Sequence, residues 1–196
     1  MDSALTSQPE HKPQTGDAEL VAAARGDPQA FAALYHRYVT PVYRYLYHRV
    51  GNPAEAEDLT SQVFTAALES LDGYRERGNF PAWLFTIARR TAIAHYRRRR
   101  PEIPLEEGEN SGEGGDPLEG LVRDESVARL GALLAGLDEE QRELLDLRFS
   151  AALTYKQIAQ VLGRSEGAVK MAVHRLLNQL ENDWSQLEND WDKSQP

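Results

Sequence analysis

The sequence predicts an all-α protein of two small helical domains, an N-terminal helical bundle and a C-terminal helix-turn-helix domain, joined by a flexible acidic linker. Three observations carry this. Patterned stretches repeat their apolar residues at three- and four-residue spacing, and no convincing strand alternation appears. Two helix starts are written as a capping residue followed by proline, at Asp27-Pro28 and Asn52-Pro53. Between residues 101 and 120 the periodicity stops: that segment is rich in Gly, Glu and Pro, and its seven acidic residues repel one another and keep it extended. The chain of 196 residues divides into a polar arm (1–16, expected to be disordered), a first domain (17–100), the linker (101–120), a second domain (121–180) and a tail (181–196).

The elements follow in order. Asp17 is placed to cap a short helix that Gly26 ends. Phe31, Leu34, Tyr35, Tyr38 and Val39 repeat at helical spacing after Asp27-Pro28. Thr40-Pro41 either kinks that helix or begins another, and Tyr43, Leu46, Tyr47 and Val50 carry the pattern to Gly51. Leu59, Val63, Ala66, Ala67 and Ser70 line one face of the helix begun by Asn52-Pro53. A loop over residues 72–79 (DGYRERGN) then leads to FPAWLFTIARRTAIAHYRRRR, residues 80–100. Pro81 fits a first helical turn. Phe80, Leu84, Ile87, Thr91 and Ala94 form a packing seam. Roughly opposite lie Phe85, Arg89, Ile93, Tyr96 and Arg100, a face that mixes cations with exposed-looking aromatics and ends in four arginines. Arginine pairs with phosphate in a fixed fork and aromatic rings stack on unpaired bases, so this face suits DNA being gripped and opened. A core helix with a solvated basic end fits the same residues.

In the second domain, residues 121–134 read as a helix, and Asp138 caps another that runs to Phe149. Thr154-Tyr-Lys-Gln157 is a capping box, with Tyr155, Ile158, Ala159 and Leu162 as buried positions. Gly163 supplies a turn. Ser165 caps a final helix that buries Val169, Val173, Leu176 and Leu180. A short helix, a glycine turn and a longer helix make a helix-turn-helix, whose exposed early positions Glu166, Gly167, Lys170, Met171 and His174 would meet a major groove. An ordinary helical hairpin in a bundle is the alternative. QLENDW occurs at residues 179–184 and again at 186–191, so that Leu177, Leu180, Trp184, Leu187 and Trp191 form a short heptad seam. This is either a docking strip or a frayed duplicated tail.

Composition excludes several classes. The chain has no cysteine, hence no disulfide framework and no thiolate metal site, and its five histidines are scattered. No apolar run is long enough to span a membrane, and the N-terminus lacks a signal-peptide core. A cytoplasmic protein without membrane insertion is expected. The net charge is −9, yet residues 17–100 carry 12 basic and 9 acidic residues. The positive charge gathers at residues 97–100. Free protein should therefore bind DNA weakly, and a partner should supply more of the grip.

Three stretches in order resemble the extracytoplasmic-function (ECF) sigma factors, compact two-domain members of the major bacterial sigma family. They are AEDLTSQVFTAAL (56–68), YRERGNFPAWLFTIARRTAIAHYRRRR (74–100) and LDEEQRELLDLRFSAALTYKQIAQVLGRSEGAVKMAVHRL (137–176). The resemblance implies a subunit of RNA polymerase that binds bacterial core polymerase, selects and melts promoter DNA, and directs initiation. It implies core-polymerase contacts at Asp58 and Gln62, with Phe64 partly packing. It implies that the loop before residue 80 captures a flipped base of the minus-ten element and that the helix after it touches the strand and the upstream duplex. The candidates there are Arg75, Asn79, Trp83, Arg89, Tyr96, Arg97 and Arg100; Trp83 serves equally as a core residue. It implies that the acidic linker threads the polymerase near its RNA path. The second domain would read the minus-thirty-five element through Glu166, Gly167, Lys170, Met171, His174 and Arg175. An anti-sigma factor is a further partner open to such a protein.

The sequence departs from the family where an arginine is usual two positions after the helix-turn-helix lysine: Ala172 stands there. A basic tail is replaced by LLNQLENDW. Either promoter contact rests on Lys170, His174 and Arg175, or the tail masks the domain, in which case deleting residues 185–196 should raise activity. Two other classes compete. A free-standing helix-turn-helix regulator would bind duplex operators without polymerase. An enzyme could be imagined around Glu55, Glu57, Asp58 and His48, but no motif orients a base, nucleophile or metal ligands, and acidic residues at a helix start complement its dipole. No catalytic residue, metal or cofactor is expected.

Overall fold

The computed structural model describes residues 16–75, 79–99 and 125–194. These hold eight α-helices and no strand: α1 (Asp17–Ala24), α2 (Pro28–Val50), α3 (Pro53–Ser70), α4 (Phe80–Arg99), α5 (Glu125–Ala135), α6 (Glu139–Leu145), α7 (Tyr155–Leu162) and α8 (Glu166–Ser194). A 3₁₀ turn, Leu71–Gly73, follows α3, and a π turn, Asp146–Ser150, extends α6. The arm over residues 1–15, Arg100 and the linker over 101–120 lie outside the described residues.

The proline-marked starts form as the sequence predicts. The Asp27 side chain accepts from the Gln29 N–H, and that of Asn52 from the Glu55 N–H, each with proline in the first turn. The α2 helix runs through Pro41 without a break. It stops at Gly51, whose φ of 67° is the left-handed conformation that glycine adopts without penalty. The expected cap at Asp17 is not one. Gly16 holds that position, and Asp17 is a buried first-turn residue whose carboxylate accepts from the Arg37 guanidinium and the Tyr38 hydroxyl. Burial, reinforced by the bond to Asp17, pushes the Tyr38 phenol well above its ordinary range.

Helices α1 to α4 enclose a core of Val21, Leu34, Tyr38, Val42, Leu46, Leu59, Val63, Phe80 and Leu84, all buried. Phe85 belongs to it. The sequence places Phe85 on the exposed face of α4, yet it is 0% exposed and meets Tyr45 edge-on, with ring centroids 5.7 Å apart. The buried positions of α4 are Phe80, Ala82, Leu84, Phe85, Ala88 and Ala92, while Ile87, Thr91 and Ala94 of the expected seam are only half-buried. The true seam is rotated because α4 is covered on a second side. Helix α7 of the C-terminal domain packs against it, and the π turn packs against α2.

In that second domain Leu137, Leu144, Leu147, Leu153, Ile158, Val161, Val169, Val173 and Leu176 are buried. The helix expected from residue 121 is described from Glu125. The one expected from Asp138 to Phe149 splits into α6 and the π turn. Tyr155, Leu162 and Leu180, expected in the core, are half-buried at its edge.

Candidate nucleic-acid interface

Asp58 and Gln62 lie exposed on the outer side of α3. The spacing of four residues puts them one turn apart on the same face. Phe64 does not share that face. It is 6% exposed and packs edge-on against Tyr35 at 4.7 Å.

An aromatic cluster joins Tyr74 to the first turn of α4. Tyr74 lies 4.8 Å from Trp83 and 5.9 Å from Phe80, and Phe80 lies 5.5 Å from Trp83. The Arg25 guanidinium donates to the Tyr74 carbonyl, and the Asn79 carbonyl accepts from the Trp83 N–H. Trp83 is half-buried in this cluster, Asn79 is half-buried above it, and Arg75 is exposed beside it.

Along α4 the structure separates residues that the sequence grouped. Tyr96 and Arg97 are exposed, as is Arg98. The Tyr96 hydroxyl donates to the Arg49 carbonyl at the end of α2. Arg89 is engaged: its Nε donates to Glu143 Oε1 at 2.7 Å and its Nη2 to Oε2 at 3.2 Å. This two-pronged bond to Glu143 raises the guanidinium's affinity for its proton. Tyr45, held strongly neutral by burial, adds a hydroxyl 3.4 Å from Glu143 Oε1. Arg100 lies outside the described residues.

The helix-turn-helix forms as its capping signals require. The Thr154 hydroxyl accepts from the Gln157 N–H while the Gln157 side chain reaches back to Thr154 N. Gly163, with φ of 68°, turns the chain, and Ser165 Oγ accepts from the Ala168 N–H at the start of α8. Tyr155 carries the Arg148 guanidinium over its ring at 4.7 Å. Glu166, Gly167, Lys170 and Arg175 are exposed, and Met171 is 61% exposed. His174 is half-buried, its ring 6.2 Å from that of Tyr155, at the edge of the face. Ala172 is half-buried against the core.

Helix α8 continues unbroken to Ser194. At about 1.5 Å per residue, Leu187 stands roughly 25 Å along the helix from Lys170. A tail in this form does not fold back over the early turns, so of the two alternatives the structure shows no masking of the helix-turn-helix by the tail.

Among the described residues no group of three or more His, Asp and Glu side chains is placed to hold a metal ion. The pairing of Glu55 is with His95 Nε2, at 3.0 Å. Among the same residues no helix is long and apolar enough to cross a membrane.

The arrangement is a bundle with an open polar helix face, an aromatic cluster at the start of α4 and a helix-turn-helix. Family models match both halves: sigma-70 region 2 over residues 34–102 and sigma-70 region 4 over residues 133–182. The chain belongs to the sigma-70 family. Its relatives make it an ECF-type member. It is 38% identical to the ECF RNA polymerase sigma factor BldN of Streptomyces coelicolor, over 83% of this chain and 63% of that one. It is 31% identical to the RNA polymerase sigma factor YlaC of Bacillus subtilis, over 76% of this chain and 89% of that one. It thus spans less than two thirds of BldN but most of YlaC. Among solved structures it is similar to CnrH in complex with the cytosolic domain of CnrY, with a TM-score of 0.64 and 26% identity, over 89% of this chain and 98% of that one.

Region 2 of this sigma factor thus includes most of α2, all of α3 and α4, and region 4 the helix-turn-helix. Two further arginines of region 2, Arg49 and Arg90, were not singled out by sequence reasoning. Arg90 is exposed on α4 beside Arg89. Arg49 sits in the last turn of α2, where a cation also complements the helix dipole, so nothing in the sequence marks it as more than that.

Proposed function

We propose that this ECF sigma factor divides its work among three surfaces. The Asp58 and Gln62 face of α3 docks on core RNA polymerase. The loop at Arg75 and Asn79, together with Tyr96, Arg97 and Arg100, receives the minus-ten element, with Trp83 holding the loop from below. Arg89 joins that surface when Glu143 is displaced. Glu166, Gly167, Lys170 and Met171 enter the major groove of the minus-thirty-five element, Arg175 takes a phosphate, and His174 borders the face. Phe64 packs rather than docks. The protein works in the cytoplasm and adds no catalytic group, since the polymerase performs the chemistry.

The single observation that supports this most is the stripe on α8. Glu166, Gly167, Lys170 and Met171 share one side at helical spacing, all face solvent, and sit at the start of a capped helix behind a glycine turn. That is the geometry of a groove-reading helix. Its side chains carry an acceptor for cytosine N4, a cation and an apolar group for a thymine methyl.

CnrH is recorded in complex with the cytosolic domain of CnrY, and this chain's similarity to it supports a protein partner here, for which we propose an anti-sigma factor. The test is to add the full chain to bacterial core polymerase and map start sites on a library of genomic fragments. Specific starts absent with core alone are expected, and Asp58→Ala with Gln62→Ala should weaken the complex with core without lowering the melting temperature. Tight operator binding by the protein alone, with no complex with core, would favour the free-standing regulator.

A further inference from the structure

Beside the packing of α7 on α4, the two domains meet through a run of charges. Region 4 contributes Glu139, Glu143 and Asp146, spaced by four and three residues on α6 and its π-turn extension, which puts them on one side. Region 2 answers each. Arg49 Nη2 pairs with Glu139, Arg89 with Glu143, and His48 Nδ1 lies 2.8 Å from Asp146 Oδ1, with Ser150 Oγ 3.1 Å from the same nitrogen.

Three features make this more than a domain contact. The basic partners belong to the minus-ten surface: Arg89 lies on α4, and Arg49 is tied to Tyr96 through its carbonyl. The Arg49 side chain is 8% exposed, and its Nε and Nη1 are buried with no hydrogen-bond partner among the described residues. A guanidinium presents a fork suited to two acceptor oxygens at once, and here only Nη2 is served. Finally, the stripe is carboxylates at turn spacing meeting guanidinium groups, the same chemistry that a phosphate backbone offers them.

We propose that the acidic side of α6 stands in for nucleic-acid phosphates. Closure buries Arg49 and pairs Arg89 with Glu143, so promoter DNA and α6 compete for the same two guanidinium groups. Arg49 is a phosphate contact that the motifs do not reveal and that only the open form presents. This rests on the reading of region 2 as the minus-ten surface.

The experiment uses the full chain. With no cysteine present, dyes attached through Glu69→Cys and Gln160→Cys report the distance between the domains. The probe is a fluorescein-labelled 20-nucleotide oligo(dT), which carries phosphates and no promoter sequence. In Glu139→Gln/Glu143→Gln, energy transfer should fall and the probe should bind about tenfold tighter. Glu19→Gln/Glu181→Gln makes the same change in net charge at exposed sites away from the minus-ten surface and should change neither by more than about twofold. Adding Arg49→Ala to the open variant should remove about threefold of the gain and lower the salt slope by about 0.7.

Unchanged energy transfer overturns the latch. A drop in transfer with probe affinity equal to the charge control overturns the competition, and an Arg49→Ala change without effect overturns the Arg49 contact. Because Glu143 is buried, the single variant Glu139→Gln, at a carboxylate 70% exposed, is measured as well; transfer should fall by a smaller amount, and unchanged transfer counts against the latch. Failure of the minus-ten reading itself would appear in polymerase-directed initiation, where oligo(dT) takes no part.

Discussion

Replacing Phe85 by alanine tests where the working face of α4 lies. The ring is fully buried and meets Tyr45 edge-on at 5.7 Å. Removing such a ring costs about 3–5 kcal/mol in lost transfer energy and cavity. That is a large part of a domain stability on the order of 5–15 kcal/mol, and corresponds to a fall in melting temperature of roughly 15–30 °C. Ile93, two turns further along α4, is 36% exposed, and Ile93→Ala should cost less than about 1 kcal/mol. Urea unfolding followed by circular dichroism would give both values. Phe85→Leu, which keeps most of the volume, should recover much of the loss. A Phe85→Ala midpoint indistinguishable from that of Ile93→Ala would refute the burial and return Phe85 to the exposed face that its spacing suggests.

Other outcomes follow from the same geometry. Arg175→Ala should weaken promoter duplex binding by the polymerase complex to a similar degree across sequences and reduce the salt slope by about 1, measured by titration at several salt concentrations. Asp138→Ala and Thr154→Ala each remove a cap that satisfies an N–H at a helix start; each should cost about 1 kcal/mol in urea unfolding. Tyr38 and Tyr45 both ionise later in the folded chain than in the unfolded one. Their contribution is therefore whole below the unfolded value near pH 10 and is lost as pH rises beyond it, because the unfolded chain ionises first. Calorimetry should show the melting temperature falling above about pH 10, and Tyr45→Phe should flatten that fall.

The local features were legible because they are written in adjacent residues. Asn52-Pro53, the Thr154–Gln157 box and Gly163 each need only a few neighbours to act, and each forms as the sequence predicts. The exposed stripe on α8 was legible for the same reason: its apolar partners Val169, Val173 and Leu176 fix which side is buried. Asp17 was misread because capping and burial use the same carboxylate, and the deciding partners, Arg37 and Tyr38, stand 20 and 21 residues away. Trp83 could be read both ways because a ring that supports a loop and a ring that meets DNA occupy the same helix position.

Helix α4 shows why the rest stayed hidden. One-sided periodicity identifies a seam only when a helix has one neighbour, and α4 packs against helices of its own domain and against α7. The second neighbour widens the buried arc of α4, and Glu143 of α6 turns Arg89 from a solvated cation into a paired one. Glu143 and Asp146 lie 54 and 98 positions from Arg89 and His48, the groups they bind. Read alone, each is an ordinary carboxylate on a helix that would have been assigned to solvent. Only when the two domains are placed together do Glu139, Glu143 and Asp146 become one surface. The pairing of that surface with Arg49, Arg89 and His48 then links how region 4 sits to what region 2 is free to hold.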